Sequence, residues 1–226
     1  MYRREILIVI LITGLAFGFY SVYLFGKIFF WDNTVFEEEK IYIYVGEGYE
    51  FMELKSILTP YLKSISDFTL AAKKKDYINR VKPGKYVLLK GSNNNDIINT
   101  LRSKSLTVRV TFNNQERLED LAGRIAQQVA ADSTALIKAF LDPNFLDSKG
   151  FTKENILSMY LPNSYDFFWN TSAENFRNKM WSYYQRFWSE TRKNKAAALG
   201  LSAQQVINLA AIVQKETQKV DERDRV

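Results

Sequence analysis

Glu216 is the residue whose type and position most favour catalytic chemistry. It lies near the end of residues 201–217, where apolar side chains recur at steps of three and four: Val206, Leu209, Ala210, Ile212 and Val213. The helical period of about 3.6 residues returns Glu216 to this stripe, because it lies one turn after Ile212. A carboxylic acid among apolar neighbours loses the hydration of its charged form, which favours the protonated state that a general acid needs.

The helix that carries Glu216 has a clear start signal. Ser202 and Gln205 form the S-x-x-Q pattern of a capping box, which predicts that the helix begins near Ala203. We expect its apolar stripe to face the core. The ordinary alternative for Glu216 is a carboxylate at the edge of the helix that reaches water.

The composition excludes several kinds of catalyst. The 226 residues contain no cysteine and no histidine, which rules out Cys nucleophiles, Ser-His-Asp triads, histidine bases and nearly all zinc sites. We therefore predict neither a metal site nor a cofactor. Carboxylates, tyrosines and lysines remain as acid–base groups, and cleavage of glycosidic bonds is the large reaction class that carboxylates alone can perform.

An N-terminal apolar segment predicts a membrane-spanning helix over residues 6–31. No charged residue occurs in residues 6–26, and this length is enough to cross a bilayer core of about 30 Å as a helix. A cleaved signal peptide is the alternative, but bulky aromatic residues stand where a cleavage site needs small ones. Arg3 and Arg4 place the tail of residues 1–5 in the cytoplasm by the positive-inside rule, so the bulk of the chain is expected outside it.

The formal net charge of +6 raises nucleic acid as a partner. Residues 73–75 are the only run of three basic residues, and no aromatic–basic nucleic-acid motif accompanies them. We interpret the run as a solvated helix face with a mild attraction for anionic wall polymer or lipid. We predict no nucleic-acid partner.

The remaining sequence divides into a linker and two domains. Residues 32–40 are polar, with a run of glutamates, and predict a short stalk. Residues 41–105 alternate strand and helix patterns around glycine turns, which predicts a small β-α domain. Residues 106–112 alternate with a period of two, which predicts the strand that opens the second domain, 106–226. A helix is predicted to follow at 118–129.

An aromatic-rich segment, 159–171, is predicted to be a loop near a binding site. Its rings could stack on sugar faces, and its polar side chains could bond hydroxyl and acetamide groups. The candidate substrate-binding residues are Tyr160, Asn163, Ser164, Tyr165 and Trp169. The alternative is a loop that its aromatic residues pin to the core; we favour packing for any single ring and binding for the segment as a whole. Residues 172–193 are predicted to form one long helix whose aromatic residues pack.

The segment around Glu216 resembles a motif of the endolytic murein transglycosylases, the YceG-like (MltG) family. That family has A-S-I-[IV]-E-K-E-T followed by E-R-D-[KR]-V, and residues 210–217 and 222–226 match it in one register. The family's catalytic residue is the second Glu of the first run, which falls on Glu216. The first Glu of that run falls on Gln214, a departure from the pattern.

Three further segments resemble the same family, with departures of their own. Residues 83–101 are similar to the G-x-Y and G-x-[ST] signature of a LysM-like domain, for which a small domain without affinity for sugar is the alternative. Asn114 and Gln115 replace the E-G of a turn that follows the first strand of the catalytic domain. Residues 157–165 keep the proline, the hydroxyl and the last aromatic of the motif E-G-[YW]-L-F-P-D-T-Y but lack its E-G pair.

The resemblance implies a fold and a reaction. The fold is α+β: an N-terminal transmembrane helix, a small LysM-like β-α domain, and a mixed, mainly helical catalytic domain that is incomplete here. The reaction is cleavage of the MurNAc–GlcNAc β-1,4 bonds of nascent glycan strands to leave 1,6-anhydro-MurNAc ends. Such a lytic transglycosylase needs one carboxylate, because the muramoyl C6 hydroxyl replaces water. Glu216 would act first as general acid and then as base, and Glu222 and Asp224 are the next carboxylates to consider.

The resemblance also implies location and partners. The protein is expected in the bacterial inner membrane through one helix, with peptidoglycan glycan strands as its substrate and peptidoglycan synthases as candidate protein partners. Members of the family continue beyond the E-R-D-[KR]-V element, so residues 1–226 are expected to be part of a longer protein. The alternative function is a membrane-anchored scaffold or wall-binding protein without catalysis.

Overall fold

The computed structural model describes residues 2–217. Motif residues 222–226, which include both alternative carboxylates, lie outside the described residues. The chain divides into two compact units, Met1–Thr107 and Val108–Val226. The structure is mixed α+β and mainly helical, which confirms the predicted class at that level.

The N-terminal helix α1, Tyr2–Phe30, is long and apolar enough to span a membrane. Its apolar side chains are distributed around the whole helix, and its most apolar window is not buried against the protein. A helix that is apolar on all sides is typical of a lipid environment or of a protein core, and these side chains are exposed. Length and composition therefore agree with the predicted membrane-spanning segment.

The last turn of α1 packs against the first unit. Phe29 is buried, and the Ile28 carbonyl accepts a hydrogen bond of 2.7 Å from Nδ2 of Asn94. Lys27 Nζ lies 3.6 Å from a carboxylate oxygen of Asp67. The helix therefore ends in specific contacts with the first unit.

The predicted linker 32–40 is packed at its beginning, which corrects the expectation of a solvated stalk. Asn33 is buried; its side chain donates to Oδ1 of Asn94 (2.7 Å) and accepts from the backbone N–H of Ser64 (2.8 Å). Phe36 is buried as well. Buried polar side chains are normally satisfied in this way, but the hydrogen bonds that allow their burial cannot be read from polarity.

The first unit is built on an antiparallel strand pair, β1 (Lys40–Val45) and β2 (Gly84–Leu89). Side chains alternate across β1, so that Ile43 and Val45 are buried and the tyrosines beside them are exposed. The helical segments of this unit are α2 (Phe51–Leu58), a 3₁₀ turn (Thr59–Tyr61), α3 (Ile65–Lys74) and α4 (Asn94–Arg102). Their apolar faces join the buried strand residues in one core.

The second unit combines a strand pair with helices. Strand β3 (Thr107–Phe112) pairs with β4 (Asn163–Phe168), and a 3₁₀ turn, Ile156–Met159, precedes β4. The helices are α5 (Leu118–Ala126), α6 (Ser133–Phe140), α7 (Pro143–Lys149), α8 (Ala173–Phe187), α9 (Glu190–Ala198) and α10 (Ala203–Glu216).

Two predicted segments of this unit have a different structure. Residues 159–171 are not a loop, because β4 occupies their centre and alternates buried Tyr165 and Phe167 with exposed neighbours. The predicted long helix 172–193 is two helices, α8 and α9, separated by a break around Ser189. Pairing with β3 is a long-range interaction that local patterns do not report.

The core of the second unit is rich in aromatic rings and contains a buried cation, Arg177. The rings of Phe167 and Phe176 stack with centroids 4.4 Å apart. Arg177 is buried, and its guanidinium donates to the carbonyl of Ala139 (2.8 Å) and to the carboxylate of Asp142 (3.0 Å). These bonds compensate for the loss of hydration that burying the charge entails.

Helix α10 begins as predicted but is not oriented as predicted. The capping box of Ser202 and Gln205 is formed, and the helix starts at Ala203. However, Leu209 is 50% exposed and Ile212 is 57% exposed, so the stripe is not core-facing along its length in residues 2–217. Apolar periodicity identifies a helix face but does not identify the neighbour that covers it.

Candidate active site

A cleft of about 1230 Å³ lies in the second unit. Its walls are the loop after β3, the segment around the 3₁₀ turn before β4, the end of α8 together with α9, and α10. The lining residues that bear on its chemistry are Asn114, Glu116, Glu154, Tyr160, Phe187, Trp188, Arg192, Lys195, Gln214 and Lys215. Aromatic and charged side chains around a concave surface are typical of a binding site.

Helix α10 presents one face to this cleft, and Glu216 lies on another. Ile207, Ala211 and Gln214 line the cleft, whereas Glu216 is exposed and is not among the lining residues. Two positions on a helix correspond to about 200° of rotation, so Gln214 and Glu216 point in nearly opposite directions. The structure places Glu216 beside exposed Ile212, at the last residue of the helix.

The final turn of α10 is joined to the loop after β3. The Asn114 side-chain amide donates a hydrogen bond to Oε1 of Gln214, and Lys215 forms an ion pair with Glu116. The hydrogen bond from Lys215, together with its charge, holds the pKa of Glu116 below its usual range. These two exposed contacts connect the last turn of α10 to the loop after β3.

The cleft carboxylates are poor candidates for a general acid. Glu116 is paired with Lys215, as described. The hydrogen bond from Thr152 holds the pKa of Glu154 below its usual range. Each of these carboxylates has a partner that favours its charged form, whereas a general acid must first hold a proton.

Tyr160 is the one candidate substrate-binding residue that lines the cleft. It is buried, its ring centroid lies 4.5 Å from that of Phe140, and burial raises the pKa of its hydroxyl. The hydroxyl has no hydrogen-bond partner among the described residues. Leaving a buried hydroxyl without a hydrogen bond costs free energy of folding.

The other four candidates lie on or after β4 and do not line the cleft. Asn163 Oδ1 accepts from the backbone N–H of Ser164 (2.7 Å), and the Ser164 hydroxyl lies 2.7 Å from that of Thr111. Tyr165 is buried, donates to the carbonyl of Leu161 (2.6 Å) and stacks on a core ring. Trp169 is half-buried. The structure therefore separates these residues from Tyr160.

Burial has a further effect on Tyr165. Loss of hydration, with a smaller contribution from nearby Tyr183, raises the pKa of Tyr165 to about 12. The phenol therefore stays neutral and acts as a hydrogen-bond donor to the backbone. It contributes to packing in the described structure.

The α8–α9 wall contains lining residues that the sequence interpretation missed. Trp188 is buried and its indole N–H has no acceptor among residues 2–217, while Arg192 and Lys195 are exposed. The sequence offered one signal, the spacing of three between Arg192 and Lys195, which puts both on one face of a helix. The predicted helix 172–193 ends before Lys195, so the sequence analysis does not place the two cations on one helix.

No metal site is found in the described part of the chain: no group of three or more His, Cys, Asp or Glu side chains is arranged to hold an ion there.

A known sequence family matches most of this chain. The sequence profile of the YceG-like family matches residues 43–226. A crystal structure of a putative yceG-like protein from Listeria monocytogenes is similar, with a TM-score of 0.49 and 19% sequence identity, over 83% of this chain and 67% of that one. No curated protein matched.

Proposed function

Because the chain belongs to the YceG-like family, we propose that it acts as a lytic transglycosylase on the glycan strands of peptidoglycan. The bond broken is the β-1,4 linkage from N-acetylmuramic acid to N-acetylglucosamine, and the product carries a 1,6-anhydro-muramoyl end. The observation that carries the proposal is the family match, which includes all of α10 and its Glu216. The histidine- and cysteine-free composition agrees with a reaction run by a carboxylate.

Glu216 is the residue we propose for proton transfer. It is exposed, and no ion pair involves it in residues 2–217, so its carboxyl group is accessible to a substrate. In the protonated form it gives its proton to the glycosidic oxygen as the bond to C1 breaks. The resulting carboxylate then takes the proton of the muramoyl C6 hydroxyl, whose oxygen closes on C1. No water is consumed, and Glu216 ends protonated as it began.

The placement of Glu216 constrains how a strand would bind. Lys215 lines the cleft and Glu216 follows it on the outer side of the helix end. A helix with its side chains is about 10–12 Å across, so a strand that crosses the C-terminal end of α10 can reach both sides. We place the scissile bond at Glu216 and a flanking part of the strand in the cleft.

The product ends test this reaction. Purified glycan strands are digested with the protein, and the fragments are analysed by mass spectrometry. Anhydro-muramoyl ends, lighter than hydrated ends by one water, are the expected product. Hydrated ends contradict the transglycosylase, since they require water as the nucleophile.

A second function has its own support in the site. Glu216 is not among the cleft residues, and the cleft carries Asn114 and Gln214 at positions where the family pattern has acids. A peptidoglycan-binding scaffold needs the cleft but no general acid. Sedimentation with purified peptidoglycan, measured together with product formation, separates the scaffold from the transglycosylase. Folded protein that binds peptidoglycan but releases no anhydro products supports the scaffold.

We also propose that α1 anchors the protein in the inner membrane with its N-terminus in the cytoplasm. Support comes from its length and apolar composition and from Arg3 and Arg4 at its start. Residues 41–105 would then bind glycan outside the cytoplasm. The protein would contact peptidoglycan synthases in the same compartment. In intact spheroplasts, external protease should remove the second unit; full protection would contradict this orientation.

A further inference from the structure

The α9 wall of the cleft carries two cations on one face. Arg192 and Lys195 are three residues apart, both line the cleft and both are exposed. Lys193 lies between them in sequence but is not a lining residue; it forms an ion pair of 2.9 Å with Glu190 on the same helix. The cleft therefore receives positive charge from a defined face of α9.

Arg192 is held in position before any ligand arrives. Its Nη1 donates to the carbonyl of Phe187 (2.7 Å), and its guanidinium carbon lies 4.3 Å from the centre of the Phe187 ring. A guanidinium has five N–H donors in a fixed plane, so most of them remain available. Because the side chain is already oriented, binding a planar anion restricts it little further.

The other charges of the cleft do not neutralise this pair. Of the remaining ionisable lining groups discussed above, Glu116 and Lys215 form an ion pair with each other. Glu154 accepts a hydrogen bond from Thr152, and neither Arg192 nor Lys195 is among the groups that act on its pKa in the described residues. Lys195 has no ion-pair or hydrogen-bond partner among residues 2–217, so Arg192 and Lys195 are both available for an anion.

An apolar surface adjoins the two cations. Phe187 and Trp188 line the cleft at the end of α8, and their rings meet edge to face with centroids 5.5 Å apart. Cations beside aromatic side chains match a ligand that carries a carboxylate on an apolar or sugar body.

We propose that Arg192 and Lys195 bind carboxylate groups carried by the peptides of a peptidoglycan strand, with the strand's less polar part against Phe187 and Trp188. The identity of the ligand rests on the proposed function; the carboxylate site itself rests on the α9 face. The consequence is selectivity: strands whose peptides have free carboxylates bind in preference to strands whose peptide carboxylates are amidated.

The experiment compares three soluble probes by calorimetry with the full chain in detergent. The probes are glycan strands whose peptides have free carboxylates, the same strands after chemical amidation, and an uncharged N-acetylglucosamine oligomer. The free-carboxylate strand should bind at least tenfold more tightly than the amidated strand. The preference should fall to within twofold in the double variant Arg192→Gln/Lys195→Gln and persist in Lys193→Gln.

Each outcome is informative. Equal affinity for the first two probes, no measurable binding, or an unchanged preference in the double variant overturns the inference. The same samples are analysed for anhydro ends. A carboxylate preference without anhydro products leaves the site standing and contradicts the proposed reaction, whereas anhydro products from both strands without a preference contradict only the site.

Discussion

The side-chain amide of Asn114 donates a hydrogen bond to Oε1 of Gln214. Both residues stand where the chain departs from the YceG-like pattern, which has a glutamate at each position. They are 100 residues apart in sequence and in direct contact in the structure. Two amides can bond each other without charge, whereas two carboxylates in this place would repel. The structure therefore brings the two departures from the pattern into direct contact.

The contact between these amides predicts coupled effects on stability. Asn114→Ala and Gln214→Ala should each lower the free energy of unfolding slightly, and the double variant should lose less than the sum. The coupling expected for an exposed hydrogen bond is at most about 1 kcal/mol. Urea unfolding of the four proteins measures it. A parallel cycle between Asn114 and Gln185, which is exposed on α8, should be additive; additivity in both cycles would argue against the contact.

The ion pair between Glu116 and Lys215 predicts a pH-dependent contribution to stability. The pKa of Glu116 is held low in the folded protein, so the contribution is fully present above the ordinary glutamate pKa and is lost as the pH falls below it. At neutral pH, Glu116→Gln should have a lower urea midpoint than the wild type, and the difference should shrink under acidic conditions.

Lys215→Gln provides the control for this pH effect. It removes the partner, so it should lower the midpoint over the same pH range, and adding Glu116→Gln should then change little. A difference between wild type and Glu116→Gln that stays constant down to strongly acidic pH would show that the ion pair is not its source.

The proposed role of Glu216 predicts a large loss of activity without loss of fold. Glu216→Gln keeps the size and polarity of the side chain but cannot donate an acidic proton, so cleavage should fall by at least about 10²-fold. Release of anhydro-muramoyl fragments is the measurement, with circular dichroism to verify the fold. Glu174→Gln, exposed at the start of α8, is the matched control and should retain activity. Near-normal cleavage by Glu216→Gln would remove Glu216 from the mechanism.

Adjacent phenylalanines on β4 should differ sharply in their contribution to stability. Phe167 is buried and stacks on Phe176, so Phe167→Ala should lower the free energy of unfolding by about 3–5 kcal/mol. Phe168 is 39% exposed, and Phe168→Ala should cost clearly less. Thermal or urea unfolding of the two variants decides the point. Similar losses would be inconsistent with the alternation that defines β4.

Local signals predicted the parts of the fold that depend on local interactions. The capping box of Ser202 and Gln205 set the start of α10, and continuous apolar sequence set α1. Strand β4 was missed because Pro162 and Asn163 are typical of turns and its pairing partner β3 is far away in sequence. The beginning of 32–40 was misjudged because the bond that buries Asn33 comes from Asn94.

The candidate site, too, could be predicted only where it depends on residues that are close together in sequence. Glu216 could be singled out because its motif lies within a few residues of sequence. The α9 cations and Trp188 could not, because the break between α8 and α9 turns them toward a cleft whose other walls come from distant segments. Nor could periodicity indicate that Gln214, and not Glu216, would be on the cleft side of α10.

The way α1 ends has a mechanical consequence for the first unit. Asn94 is bonded to the Ile28 carbonyl and Phe29 is buried, so the helix continues into the domain without a flexible joint. If α1 crosses the bilayer as proposed, residues 41–105 lie close to the lipid surface. The tilt and rotation of α1 then determine which side of this domain faces away from the membrane. The orientation of the domain relative to the membrane would then follow that of the helix. A change in bilayer thickness, by changing the tilt of α1, would reorient the domain.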